Sequence, residues 1–440
     1  MKIPILIITK LLSFLLGKLG RGGSFPGHVA LKLNKHIFQC FRYTCPVIIV
    51  TGTNGKTSTS NLIADLLMHS GKQVINNRKG DNLKEGIATA FIHAAKLNGR
   101  ISADAMVLEV DELNIPYIMK HVKVSVLVVT NFFRDQLDRS QEMEQLIQKI
   151  EYAVASFDGT LVLNGNDPNV VRIKSHAPNA QVLYFGVDRC AASVETTQEA
   201  SEGKFCPRCN HPLTYSFYQY SHIGSFHCTD CDFCTPLLTV CAQAIDIKQG
   251  SFQYDKHSFH APVPSLYAIY NCMAVIGIAK LYDIPYELCE KAFCLAKQPA
   301  GRNETFYWQG IAYTLNLVKN PTGANEVLKT IELDQSDKAL MIVLNDLAQD
   351  GTDVSWIYDA QFERVLQLST QKILCSGTRA YDMALRIKYA DYPGEIIVIA
   401  DEKQALDELY RLRMRSYVIA TYTALAPVRA LMRKDERDAA

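Results

Sequence analysis

The sequence predicts an α/β protein with more than one domain, in which mostly parallel β-sheets are covered by helices. Apolar, β-branched runs alternate with helix-like segments along most of the chain, a pattern typical of parallel sheets. The alternation is interrupted by a segment rich in cysteine and aromatic residues at 201–236, and again by a loop near 297–306. A chain of 440 residues also exceeds the length that one hydrophobic core usually serves.

The composition is that of a soluble globular protein, with 48% hydrophobic and 21% charged residues. Lys and Arg number 46 against 45 Asp and Glu, so the net charge is only +1. This balance gives no electrostatic reason to expect nucleic acid as a partner.

Residues 1–45 are predicted to form an N-terminal helical segment packed on the domain that follows. Lys10 interrupts the apolar run, which is too short to span a bilayer, and no convincing signal-peptide cleavage site follows it. A helix lying on the inner face of the membrane is the alternative. In either case we expect a cytoplasmic protein with reduced or metal-bound cysteines. The apolar positions at helical spacing are Ile5, Ile8, Leu12, Leu15, Leu16 and Leu19.

A phosphate-binding loop follows the first predicted strand of the central domain, which we place at 46–300. The run "PVIIV" (46–50) suits a buried strand, "TGTNGKT" (51–57) follows, and a helix pattern then ends near Gly71. Backbone N–H groups and the helix dipole at such a loop favour the polyphosphate of ATP, and the alternative is a structural turn with a surface lysine. The predicted nucleotide-binding residues are Gly52, Thr53, Asn54, Gly55, Lys56 and Thr57.

Further predicted strands (105–110, 124–130, 159–165 and 181–187) would place polar side chains at the same sheet edge. Glu109 lies near the end of its strand, where a carboxylate across from the loop would bind Mg²⁺. Asn131 and Asp135 follow the next strand and would project into the same crevice, and a structural cap is the alternative for Asn131. Asp111 and Glu112 are either further site residues or loop charges.

Four cysteines within the segment 201–236 predict an inserted zinc ribbon. Two CxxC pairs with 18 residues between them match a tetrahedral four-cysteine Zn²⁺ site, which we interpret as structural or partner-facing. Coincidental cysteines or a redox pair are the alternatives, and Cys234 is a fifth nearby thiol. The predicted ligands are Cys206, Cys209, Cys228 and Cys231.

Residues 301–440 repeat the alternation and predict a separate Rossmann-like C-terminal domain. Strands are expected at 311–318, 339–346, 371–377, 395–400 and 416–422, with helices near 322–333, 359–368, 378–388 and 402–413. Arg302, in "GRNETF" at the domain boundary, would reach a transferring γ-phosphate when the domains close.

These motifs together resemble the Mur ligase superfamily, and most closely its MurT family, the ATP-binding subunits of lipid II isoglutaminyl synthases. The resemblance covers nearly the whole chain. It depends on the loop, on "VLEVDE" (107–112), "TNFFRDQLDR" (130–139), the cysteine insertion, "YN" (270–271), "GRNETF" (301–306), "KNPTGANEVL" (319–328), "DGTDVSWIYDA" (350–360) and "ATYTAL" (420–425).

The resemblance implies ATP-dependent amidation of the α-carboxylate of D-glutamate in the lipid II stem peptide. Ammonia would come from a GatD-type glutaminase in a heterodimer, contacted by the C-terminal domain. Asp353 would complete the partner's Cys–His pair; without the resemblance it reads as a turn or capping residue, with Asp350 and Asp359 as rivals. Asn271 would contact adenine and Glu109 Mg²⁺, whereas Ala268 replaces an asparagine frequent in the family.

Two other functions compete with this one. A Mur or folylpolyglutamate-type ligase would add a whole amino acid and need no partner. A zinc-ribbon adaptor or nucleic-acid-binding protein would retain only a vestigial loop, which the charge balance disfavours.

Overall fold

A computed structural model describes residues 2–18, 23–78, 81–134, 143–297 and 299–439. Its first strands are β1 Val47–Thr51, β2 Val74–Asn76, β3 Ala105–Glu109, β4 Val126–Val129, β5 Thr160–Asn164, β6 Gln181–Val187, β7 Leu213–Tyr220, β8 Ile223–Cys228, β9 Val240–Asp246, β10 Ser251–Tyr254 and β11 His257–His260. Strands β7 and β8 pair as a separate hairpin. The others form one sheet in the order β11-β10-β9-β6-β5-β4-β1-β3-β2, which is parallel from β2 to β9 and antiparallel from β9 to β11.

Helices cover both faces of this sheet, and strand β1 shows why its sequence is continuously apolar. Ile48 and Val50 belong to the core on one face, whereas Val47 and Ile49 belong to the core on the other. A strand buried on both faces reads as an unbroken β-branched run. The helices are α1 Lys2–Lys18, α2 Phe25–Leu33, α3 Lys56–His69, α4 Lys84–Ala94, α5 Ile115–His121, α6 Met143–Val154, α7 Pro168–Val171, α8 Leu266–Leu281 and α9 Tyr286–Cys294.

The C-terminal part forms a second sheet with its own cores on either face. Its strands are β12 Glu304–Trp308, β13 Ile311–Leu317, β14 Lys338–Val343, β15 Thr370–Ser376, β16 Glu395–Val398 and β17 Ser416–Ala420. They run in the order β12-β13-β17-β14-β15-β16, with only the β12–β13 pair antiparallel. Its helices are α10 Pro321–Glu332, α11 Trp356–Asp359, α12 Ala380–Tyr389, α13 Glu402–Arg411 and α14 Tyr422–Ala439. The predicted fold class, α/β with parallel sheets in more than one domain, is confirmed.

The helix predicted at 359–368 is wrong in its extent, because α11 ends at Asp359 and a 3₁₀ turn occupies Phe362–Gln367. Arg386 donates to the carbonyl oxygens of Ile357 at 2.9 Å and Ala360 at 2.8 Å. These carbonyls are satisfied from outside the segment, so a continuous helix is not required to satisfy them.

The N-terminal helix is present, but the predicted buried face is only partly right. Ile5 and Leu6 are buried, whereas Ile8 and Leu15 are more than half exposed at 53% and 52%. Leu19 lies outside the described residues. None of the described helices is long and apolar enough to cross a membrane.

Candidate functional site

The site lies where the order of the first sheet reverses, because β1 has β3 on one side and β4 on the other. Glu109 at the end of β3 pairs with Val50, and Val129 at the end of β4 pairs with Thr51. Parallel sheets bind ligands in the crevice outside the carboxyl ends of strands at such a reversal. The loop between β1 and α3 therefore lies at the expected ligand crevice.

Two glycines give the loop its shape. Gly52 and Gly55 have φ angles of +120° and +86°, a region that other residues rarely adopt. A Cβ on Gly52 would lie 2.8 Å from the carbonyl oxygen of Asn131, and one on Gly55 would lie 3.3 Å from Cγ of Asn271. Both positions thus require glycine for conformation and for space.

Lys56 begins α3 and is buried, with its ammonium group directed back onto the loop. Its Nζ donates to the carbonyl oxygen of Gly52 at 2.6 Å and forms an ion pair of 3.1 Å with Glu112. Thr57 follows on the same first turn and is partly buried. Glu112, which the sequence left open as a loop charge, is a buried partner of the loop lysine.

The charges around Lys56 control the ionisation of two neighbouring carboxyl groups. Burial alone would raise the pKa of Glu112, but Lys56 and Lys319 outweigh it and hold the pKa below its ordinary value. The pKa of Asp111 is raised, by burial first and by Glu112 second. Glu112 is therefore an anion that neutralises the buried lysine.

Glu109 is 2% exposed and has one carboxylate oxygen without a protein partner. Its Oε1 accepts from Nδ2 of Asn82 at 3.0 Å, whereas Oε2 is buried and unbonded. An unsatisfied buried carboxylate oxygen is costly, and a bound divalent cation would satisfy it. The donor set therefore fits Mg²⁺.

Asn131 holds the loop from the neighbouring strand. Its Oδ1 accepts from the N–H of Asn54 at 2.9 Å, and its Nδ2 donates to the carbonyl oxygen of the same residue at 3.1 Å. Thr130 Oγ1 donates to that carbonyl at 2.8 Å, and Thr53 donates its N–H to the carbonyl of Asn131 at 2.8 Å. The side chain predicted to face a ligand is bonded to the loop backbone. Asp135 lies outside the described residues.

The loop opens into a cavity of about 110 Å³ between the central sheet and the C-terminal part. Asn271 and Arg302 both line it. The N-terminal turn of α10 lines it as well, and Asn320 donates to Oδ1 of Asn54 at 3.3 Å while capping Gly323. Two helix N-termini, those of α3 and α10, thus meet at one cavity, which favours an anion.

An aromatic wall of this cavity was missed by the sequence analysis. Phe133 stacks with Tyr220 at 6.0 Å, and Tyr220 meets Tyr270 edge to face at 5.8 Å. Tyr220 ends β7, so the hairpin next to the cysteine pairs forms part of the cavity. No local pattern in the sequence indicates this contact.

A smaller groove adjoins the cavity on the other side of Asn271. It is lined by Ala268 and by Asn61, whose Oδ1 is buried without a protein partner. An unbonded amide oxygen beside Asn271 provides a second acceptor for a ligand in this groove.

The four predicted metal ligands converge. The sulfur atoms of Cys206, Cys209, Cys228 and Cys231 all lie within 4.8 Å of one another. The Sγ–Sγ distance is 3.3 Å for Cys209–Cys228 and 3.6 Å for both Cys206–Cys231 and Cys209–Cys231. A Zn–S bond of about 2.3 Å in a tetrahedral site places sulfurs roughly 3.8 Å apart. All thirteen cysteines lie in described segments and are free thiols, and Cys234 is exposed outside this group. The cluster therefore fits a four-cysteine metal site.

The three aspartates near 350–359 differ sharply in environment. Asp350 is buried and accepts from the N–H groups of Leu347 and Thr423 at 3.2 and 2.8 Å. Asp353 is exposed and its Oδ1 accepts from the N–H of Ser355 at 2.8 Å. Oδ2 of Asp359 forms an ion pair of 3.8 Å with Nη1 of Arg134. Asp353 combines the turn-capping bond with an accessible carboxylate, whereas Asp350 is committed to the fold.

Fold and loop together define the class of this protein as a Mur ligase. Residues 50–228 match the Mur ligase middle domain, and residues 317–425 match the MurT ligase C-terminal model. The pseudomurein peptide ligase type C of Methanothermus fervidus superposes with a TM-score of 0.67 at 20% identity, covering 90% of this chain and 80% of that one.

Within that class, the chain belongs to the MurT family. It is 33% identical over 425 residues to the MurT subunit of lipid II isoglutaminyl synthase (glutamine-hydrolyzing) from Streptococcus pneumoniae, covering 95% of this chain and 94% of that protein. The subunit of the same name from Staphylococcus aureus is 32% identical over 412 residues, covering 93% and 92%. The resemblance noted in the sequence motifs is confirmed over nearly the full length.

Proposed function

We propose that the chain is the ATP-using subunit of a lipid II isoglutaminyl synthase, which converts D-glutamate in the stem peptide to D-isoglutamine. The observation that carries the proposal is the 33% identity to a MurT subunit over 95% of the chain. The crevice of this chain also holds a buried loop lysine and a buried carboxylate oxygen of Glu109 without a protein partner. Two steps account for the chemistry. A carboxylate oxygen attacks the γ-phosphorus and ADP leaves; ammonia then attacks the acyl carbon, phosphate leaves, and the nitrogen gives up one proton.

The residues of the crevice suit the first step because two anions must approach each other. Lys56 binds the phosphates once they displace its contact with the loop carbonyls, and Glu112 keeps it charged. Arg302 lines the cavity and places a further positive charge where the γ-phosphate and the carboxylate meet. Thr57 and Glu109 would hold Mg²⁺, which neutralises phosphate charge. The groove with Asn61 and Asn271 would take adenine.

We expect the ammonia to come from a partner with an activated thiol. The thiol of Cys294 lies beside Glu290, and partial desolvation together with that carboxylate raises its pKa. A thiol in this environment is a poor nucleophile. A GatD-type glutaminase bound at the C-terminal part would supply the Cys and His, with Asp353 orienting the His across the interface. The four-cysteine cluster would hold Zn²⁺ as a structural ion.

A reconstituted assay tests the proposal. We incubate the purified chain with ATP, Mg²⁺ and lipid II, and add ammonium, glutamine, or glutamine plus a GatD-type glutaminase. The mass of the product is measured by mass spectrometry. We expect the amide with ammonium, and with glutamine only when the glutaminase is present. A product heavier by a whole amino acid would instead identify a stand-alone ligase, and no ATP turnover in any arm would overturn the proposal.

A further inference from the structure

The outward face of α1 is apolar along its length. Ile7, Ile8, Leu11 and Leu15 are 46%, 53%, 58% and 52% exposed, and their spacing places them on one stripe of the helix. The opposite face is anchored to the protein: Thr9 is fully buried, and Ser13 Oγ lies 2.6 Å from Nε2 of His93 on α4. The stripe therefore points away from the domain.

Such a helix needs a second apolar surface. A helix that is hydrophobic on all sides is normally buried in a core or in a membrane, and soluble proteins rarely expose contiguous apolar patches without a binding role. Spanning is excluded for α1, because it has 17 residues and Lys10 at its middle. The remaining arrangement is a helix that lies along a surface with its outer stripe covered.

The charge of this end of the chain indicates which surface. Residues 1–45 hold seven of the 46 Lys and Arg and none of the 45 Asp and Glu, although the whole chain is nearly neutral. Basic residues beside an apolar helix favour anionic lipid, because each adds attraction to the negative surface potential. A second copy of the chain would bring two such basic segments together, which like-charge repulsion opposes.

We infer that the outer stripe of α1 docks on an anionic lipid bilayer, with the helix in the plane of the headgroups and the first sheet behind it. The aliphatic residues of the stripe enter the headgroup–acyl boundary, while α2 and α4 hold the inner face. The lipid docking itself does not depend on the proposed function. Its consequence does: docking would concentrate the enzyme beside its lipid-linked substrate.

Vesicle flotation of the full-length protein tests the docking. Vesicles of phosphatidylcholine and phosphatidylglycerol in equal amounts are compared with phosphatidylcholine alone. The variant is Ile8→Asp/Leu11→Asp, and the matched control is Tyr152→Asp/Tyr389→Asp, at exposed apolar positions on α6 and α12. We expect wild type and control to float with the anionic vesicles and the α1 variant to bind at least about tenfold less, with an unchanged melting temperature.

Several results would overturn the inference. They are absence of wild-type binding, equal binding of the α1 variant, a wild-type dimer that the variant abolishes, and loss of the glutaminase partner from the variant. The last two would assign the stripe to a protein partner. Amidation of detergent-solubilised lipid II with ammonium, measured in parallel, should be the same in the variant. Absence of that activity in wild type contradicts the proposed function and leaves the flotation result standing.

Discussion

At Glu112 the two neighbouring lysines reverse the effect of burial on a carboxyl group. A folded-state pKa below the ordinary value of about 4.3 means that this group stabilises the fold above that pH, and that the contribution is lost as the pH falls below it. We expect the melting temperature of Glu112→Gln to fall less than that of wild type between about pH 4.5 and pH 3.

The control for this titration is Glu395→Gln, whose ion pair with Lys372 at 2.8 Å is on the surface and should contribute little. Thermal denaturation of the three proteins across the acid range checks the prediction. If the melting temperatures of wild type and Glu112→Gln fall equally as the pH is lowered, this carboxyl group does not cause the loss of stability in acid.

Glu109 provides a second test at the scale of one residue. Glu109→Gln keeps an acceptor for Asn82 but removes a buried charge, so the melting temperature without Mg²⁺ should stay level or rise. Amidation with ammonium should drop about a hundredfold or more. The matched control is Asp104→Asn, just before the start of the same strand, where Oδ2 accepts from the N–H of Gln73. Retained activity in Glu109→Gln would remove it from the Mg²⁺ site.

Substitution of Asp353 should affect amidation driven by glutamine but not amidation driven by ammonium. Because its carboxylate is exposed and its Oδ1 accepts from the N–H of Ser355, Asp353→Asn should fold normally and keep ammonium-driven amidation. Glutamine-driven amidation with the glutaminase should fall by about a hundredfold or more. Asp359→Asn serves as the exposed control. Full glutamine-driven activity in Asp353→Asn would contradict the triad role.

The local parts of the site could be predicted from the sequence, and the parts assembled from distant segments could not. Gly52, Gly55 and Lys56 belong to one loop, and the spacing of these residues in the sequence is enough to predict a phosphate-binding loop. Glu112 could be noted but not assigned, since its pairing with Lys56 depends on the packing of β3 against β1. Tyr220 reaches the cavity from a hairpin about 165 residues away in the chain, and nothing near it in sequence indicates that.

At the scale of elements, the cysteine cluster and the β7–β8 hairpin form one unit, because Cys228 ends β8 and Tyr220 ends β7. We expect Cys228→Ser to lose the metal that the four-cysteine cluster would hold, and to weaken ATP binding through the cavity wall. Cys234→Ser, in the same segment but outside the cluster, should keep both. Metal analysis and ATP titration of the two variants check this. Unchanged metal content in Cys228→Ser would exclude it as a ligand.

A helix or strand can be predicted from the sequence when the same faces are buried along its whole length. Strands β1, β3 and β4 are buried on both faces and read as unbroken apolar runs. The helix expected at 359–368 is not continuous, and Arg386, from another helix, donates to the carbonyl oxygen of Ala360 near its expected start. The face of α1 was partly misjudged because nearly all of its sides are apolar, so periodicity alone cannot choose the one that packs.

At the scale of the whole molecule, the central and C-terminal parts are joined by a partly buried lysine that pairs with two buried carboxylates. Lys329 on α10 contacts Glu199, ahead of the hairpin, at 2.8 Å and Glu326 at 2.7 Å. Burial raises the pKa of Glu326, Lys329 opposes that rise, and Glu199 adds to it. The lysine therefore stabilises two carboxylates at the boundary between the parts.

Removal of that lysine should make the stability of the whole chain depend on pH. Lys329→Met leaves two buried carboxylates without their cation, at a cost of about 3 kcal/mol near neutral pH. A carboxyl group whose folded pKa is raised loses stability as the pH rises through that pKa, so the loss should shrink toward pH 5 and grow toward pH 8. Lys329→Met/Glu326→Gln should recover part of it, whereas Lys403→Met, which breaks an exposed pair with Asp407, should change little. Melting temperatures between pH 5 and pH 8 measure the effect, and a loss independent of pH would mean that packing, not charge, is what Lys329 contributes.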